Sequence, residues 1–140
     1  MSAEMILLPL FVEVILTFAL LFWLGPLRAR DFRTGLVREE DIALRQPNWS
    51  KPTLQVQYSF SNQFELPVLF YVLTILAYVT HHAGTLFVVL AWVFVIFRLL
   101  QAYVHVTNNK VRLRGIFFGI SALALAIMWI VFIVQILTGT

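Results

Sequence analysis

Four runs of apolar residues divide the sequence, separated by one long polar stretch and two short ones: Met5–Leu24, about Tyr58–Val79, Thr85–Val106 and Gly115–Leu137. Each is close to the roughly 20 residues that carry an α-helix across a bilayer. A helix is also the span that satisfies its own backbone hydrogen bonds in lipid. The pattern predicts an all-α membrane protein, a four-transmembrane-helix bundle with helices over 5–24, 58–79, 85–106 and 115–137. These form one domain, 1–140, with a polar loop at 25–57. The first run follows an acid, Glu4, and closes on Leu24-Gly25-Pro26. It lacks the basic flank and small-residue cleavage site of a secretory leader, so it reads as a retained helix. Gly25-Pro26 is expected to interrupt or kink it, and the basic segment that follows is expected to turn at Thr34-Gly35.

Polar positions inside the runs are few and ordered. Gln55, Tyr58, Asn62 and Glu65 are spaced three, four and three apart, which places them on one helical face at the start of the second span. An ionisable group at the edge of the hydrocarbon costs a few kcal/mol, so Glu65 marks either a site or a paired structural charge. The stripe is read as the start of a binding site opening toward the charged side of the membrane. Pro67 frees the carbonyl of Gln63 and is expected to bend the helix beside Glu65. In the third span Arg98, Gln101 and His105 form a second row, which continues to Asn108 or Asn109 and then Arg112, while Tyr103 faces elsewhere. Arg98 lies ~12 Å and Glu65 ~10 Å from the same end of the bundle, by the helical rise. That match predicts a Glu65–Arg98 pair, for which Glu13 in the first helix, ~16 Å deep, is a poorer candidate. Gly115 and Gly119, with Ser121, Ala122, Ala124 and Ala126, are expected to allow close helix approach in a structural fourth span.

Composition supports this picture and narrows the chemistry. Of the 140 residues, 61% are hydrophobic and 12% charged, against about 25% charged in a soluble domain. The net charge of +3 does not point to nucleic acid, because the basic residues divide by loop. Arg28, Arg30, Arg33, Arg38, Arg45 and Lys51 fall in the first loop, and Lys110, Arg112 and Arg114 around the third. The positive-inside rule then places both loops in the cytoplasm and both termini outside, in an inner or cell membrane. Cysteine is absent, which excludes disulfides, thiolate metal sites and a cysteine nucleophile, so any thiol chemistry needs a thiol brought by a substrate. His81-His82 reads as a tight external turn and no metal site is expected. Glu39-Glu40-Asp41 suits the first turn of a short helix in a solvated loop, or in a lid over the site. Trp49, between Pro47 and Pro52, reads as an interfacial anchor. No nucleotide-binding loop or catalytic triad is present.

With stripe, topology and helix count in place, the chain resembles the MAPEG family, the membrane-associated proteins of eicosanoid and glutathione metabolism, in a microsomal glutathione transferase-like form. The resemblance rests on Asn62-Gln63-Phe64-Glu65-Leu66-Pro67, on Arg98…Gln101-Ala102-Tyr103, on Arg112 nine residues after Tyr103, and on Glu40-Asp41-Ile42-Ala43-Leu44-Arg45 in the first loop. It implies a homotrimer with glutathione as co-substrate in a cytoplasm-facing cleft between subunits, and a lipophilic electrophile or hydroperoxide arriving from the membrane lipid. By position it implies that Asn62 and Glu65 hold the peptide's polar groups, with Glu65 on the amine. Tyr103 would contact the tripeptide, Arg30 or Arg28 would bind a carboxylate, and Arg112 would face the sulfur.

The chain departs from that pattern at Tyr58, where family enzymes place an arginine. Losing one charge-assisted hydrogen bond costs on the order of 1.5–3 kcal/mol. Two readings follow. One is a glutathione-dependent transferase or peroxidase. The other is a non-enzymatic trimeric module that binds a lipid or amphiphile, or an accessory subunit of a membrane complex. An ion or proton carrier built on Glu13, Glu65 and Arg98 lacks a continuous path of charges.

Overall fold

A computed structural model describes residues 2–140. Among them are six helices and no strand: α1 (Ala3–Arg33), α2 (Glu39–Ile42), α3 (Lys51–Asn62), α4 (Leu66–Val79), α5 (Thr85–Val106) and α6 (Val111–Thr138). Four segments are long and apolar enough to cross a bilayer: α1, α3 with α4, α5, and α6. The protein is an integral, multi-pass α-helical membrane protein.

Its first helix does not stop at Gly25-Pro26. α1 continues nine residues past Leu24 with Pro9 and Pro26 inside it, because a proline removes one internal bond while the turns on either side hold. It closes at Thr34. Gly35 takes the left-handed conformation (φ 76°), and the Leu36 N–H reaches the Asp31 carbonyl at 3.1 Å, the bond pattern that glycine allows just past a helix end.

The second span departs further from expectation. It is not one bent helix but two, separated by Gln63–Glu65. Tight bonds from Gln63 N–H to the Phe60 carbonyl (3.0 Å) and from Phe64 N–H to the Ser61 carbonyl (3.0 Å) close α3. Pro67 then stands in the first turn of α4, where its missing N–H would have had no helical partner. It starts a helix instead of bending one.

Packing follows the polarity pattern inside out. On α1, Met5, Leu8, Phe11, Ile15, Phe18 and Phe22 face outward, while Ile6, Glu13, Leu20 and Leu24 face the other spans. The main core joins Phe70, Leu73 and Ala77 of α4 to Ala91, Phe94 and Val95 of α5 and Ala124, Leu125 and Met128 of α6. Phe70 and Phe94 stack at 4.7 Å. In lipid such contacts hold helices by dispersion and fit more than by a gain over the surrounding chains. The inward row of α6 is Ser121, Ala124, Leu125 and Met128. Gly115 and Gly119 are not part of it, since a Cβ on either would meet nothing within 4 Å. Close approach inside the protomer therefore depends on Ala91 and Ala124, not on the glycine pair.

The first loop is pinned down. Asp31 is buried, and its Oδ2 accepts the Ser50 N–H at 3.0 Å. Arg28 stacks 5.0 Å above the Trp49 ring and donates 2.5 Å to Gln57 Oε1, and Phe32 meets Trp49 edge-on at 5.4 Å. Trp49 is thus buried in the loop's own small core and does not act as an interfacial anchor.

Candidate functional site

At the loop end of the bundle, α3, the break after it, the last turn of α5 and the first turn of α6 enclose a cleft of about 410 Å³. Its walls are Tyr58, Ser61, Asn62, Glu65, His105 and Arg114, within the range of roughly 300–1,000 Å³ usual for small-molecule sites. Helical spacing puts Tyr58 and Asn62 one turn apart on α3. Glu65, the residue just before α4, is turned outward by the break and stays exposed. Gln55 fixes the wall from the far side, donating 3.1 Å to the Thr107 carbonyl at the end of α5.

Arg98 is buried next to this cleft and does not line it. Its Nη2 donates 2.9 Å to the Asn62 carbonyl, one of the groups released where α3 ends. Its hydrogen-bond partner is thus a backbone carbonyl and not the Glu65 carboxylate of the expected pair. The break carries Glu65 toward the cleft and leaves Arg98 facing α1, where Glu13 is fully buried and neither of its oxygens has a hydrogen-bond partner.

The remaining positions drawn from sequence separate. Asn62, Glu65 and Tyr58 come together in the cleft. Arg112 is exposed and Tyr103 is 67% exposed, and neither touches the cleft. Tyr103 instead borders an apolar groove of about 210 Å³ with Leu16, Leu20, Trp23 and Leu99 on the outer surface. Arg28 is held by Trp49 and Gln57, and Arg30 faces outward beyond the apolar part of α1. No cluster of metal-ligating side chains occurs among the described residues.

Two residues outside the expected set, His105 and Arg114, line the cleft. His105 is buried with its Nδ1 unpartnered, and Arg114 reaches the cleft across the α5–α6 turn. Asn109, at φ 52° in that turn, orients the guanidinium by accepting from Arg114 Nη1 at 2.6 Å. His105 and Arg114 are separated by nine residues, the same interval as Tyr103 and Arg112. Helical face distinguishes the two pairs: His105 lies about 20° from Arg98 around the helix and Tyr103 about 140°, at 3.6 residues per turn.

Spans, polar break and charged cleft define a polytopic membrane protein with a polar site at the edge of its apolar core. The family model described as MAPEG family matches residues 6–134, and the chain belongs to that family. No curated protein and no solved structure matches it.

Proposed function

We propose that the protein is a glutathione-dependent transferase or peroxidase for lipophilic electrophiles or hydroperoxides, working from the cytoplasmic face as a homotrimer. The observation that carries this reading is the convergence of Glu65, Asn62, Tyr58, His105 and Arg114 on one cleft at the membrane edge. Glutathione presents two carboxylates, an ammonium and a thiol. Glu65 suits the ammonium, and Asn62 and Tyr58 suit the peptide groups. Arg114 suits the sulfur, because a neighbouring cation favours thiolate over a thiol whose ordinary pKa is about 8.5. The thiolate then attacks the electrophilic carbon of the acceptor, forming the C–S bond as the leaving group departs with the bonding pair.

One protomer's cleft supplies a single cation for two carboxylates, and the tyrosine at position 58 is the reason. A neighbouring protomer would complete the site with Arg30 and Tyr103, both of which face outward. Bidentate guanidinium contacts are the natural grip on a carboxylate. The groove beside Tyr103 favours a second reading, a module that binds a lipid without chemistry. Glutathione titration of the detergent-solubilised protein separates the two. Saturable binding in the millimolar range or tighter is expected. Glu65→Gln and Arg114→Ala should weaken it about tenfold, the scale of one charge-assisted hydrogen bond, and Arg112→Ala should leave it intact. Absence of saturable binding at millimolar glutathione would sink the enzyme reading.

A further inference from the structure

A second cavity, of about 460 Å³, lies at the opposite end of the spans, between the turn after α4, the first turns of α5 and the last turns of α6. Phe87 and Leu90 from α5 and Met128 and Phe132 from α6 give it apolar walls, and His81, His82, Thr85, Gln135 and Thr140 bring polar groups to it. No lysine, arginine, aspartate or glutamate lines it among the described residues. A ligand carrying a full charge would find no counter-ion there.

The hydrogen bonds around His82 settle what its ring offers. His81 takes a left-handed conformation (φ 60°), and the His82 N–H returns to the Ala77 carbonyl at 2.9 Å, folding the chain back over the end of α4. This brings His82 Nδ1 to 3.0 Å from Thr80 Oγ1. The threonine hydroxyl has one hydrogen, already donated to the Leu76 carbonyl at 2.7 Å. With the hydroxyl hydrogen on that carbonyl, Thr80 Oγ1 accepts, the arrangement in which His82 Nδ1 carries the hydrogen. In a neutral imidazole the other nitrogen, Nε2, is then a bare acceptor. Edge-on contact with the Phe132 ring (6.1 Å, 89°) fixes the plane of the imidazole.

We propose that this cavity is a binding site, separate from the glutathione cleft, for a neutral amphiphile that gives one hydroxyl hydrogen to His82 Nε2. Its apolar body would lie against α5 and α6. The aromatic walls formed by Phe87 and Phe132 favour a phenolic head, which stacks or packs edge-on as well as donating. The ligand would enter from the bilayer, since the cavity lies where the apolar spans give way to the turn.

A photoreactive alkylphenol with a diazirine in its alkyl chain tests this on the full-length protein in detergent, with labelled peptides identified by mass spectrometry. Label should concentrate on residues 85–90 and 128–135. Excess para-hexylphenol should displace it. Its methyl ether, para-hexylanisole, has the same shape without the donor and should compete about fivefold less well, the size of one neutral hydrogen bond. His82→Phe should reduce labelling by a similar factor, and His82→Gln, which restores an acceptor near the Nε2 position, should keep most of it. Equal competition by phenol and ether in the wild-type protein, or label spread evenly over the outward faces of α1 and α6, would overturn the proposal even if the His82 variants fail to fold.

Discussion

Among single residues, Arg98 and Arg114 have different duties. Arg98 is 1% exposed and holds the Asn62 carbonyl. Replacing it with methionine leaves that carbonyl, at the break between α3 and α4, without its donor, and an unsatisfied group of this kind costs about 1–3 kcal/mol. Arg98→Met should therefore lower the unfolding midpoint in detergent sharply. Equal midpoints for wild type and Arg98→Met would show that the guanidinium contributes nothing to the fold. Arg114→Ala, in contrast, should keep the midpoint and lose ligand. The stripe of Tyr58, Asn62 and Glu65 was legible in sequence because three-and-four spacing is the direct imprint of a helix turn. The register of the second half of the site was not. Tyr103 with Arg112 and His105 with Arg114 share one spacing, so an interval alone cannot choose between them, whereas the helical face separates them.

Elements were readable where hydropathy determines them and opaque where a distant contact does. The apolar runs mark the spans plainly. Pro67 announces a disturbance in the second span but not a full break, and the Arg98 donation to a carbonyl 36 residues earlier, which accompanies the break, has no local signature. Trp49 likewise reads as a membrane anchor until Arg28 and Phe32 are found around it. The α5–α6 turn has its own consequence, because Asn109 serves both as a left-handed residue and as the tether of Arg114. Asn109→Gly keeps the backbone conformation and removes the tether. It should leave stability within about 0.5 kcal/mol while weakening glutathione binding about three- to tenfold. Asn109→Ala should show the same binding loss and a further destabilisation of about 1–2 kcal/mol from the left-handed backbone. Unchanged affinity in both variants would mean that the guanidinium needs no tether.

Taken as a whole, the molecule places its cleft beside the basic loops, and the proposed cytoplasmic orientation rests on the positive-inside rule applied to those loops. Having no cysteine, the chain can report this directly. A single cysteine at Arg45, in the first loop, should react with an impermeant maleimide only in inside-out vesicles. One at Gly84, where an added side chain meets nothing within 4 Å, should react only from the outside. Reversed labelling would put the cleft on the other face and remove cytoplasmic glutathione from consideration. The severed second span also has a bearing on how such a protein diversifies. The guanidinium that splices the break is walled off from solvent, whereas the one bordering the cleft stands in the first turn of α6, half-buried and tethered by Asn109. Architecture and ligand preference are thus entrusted to different arginines, so a saturation library should yield absent protein at position 98 and intact protein with shifted appetites at position 114.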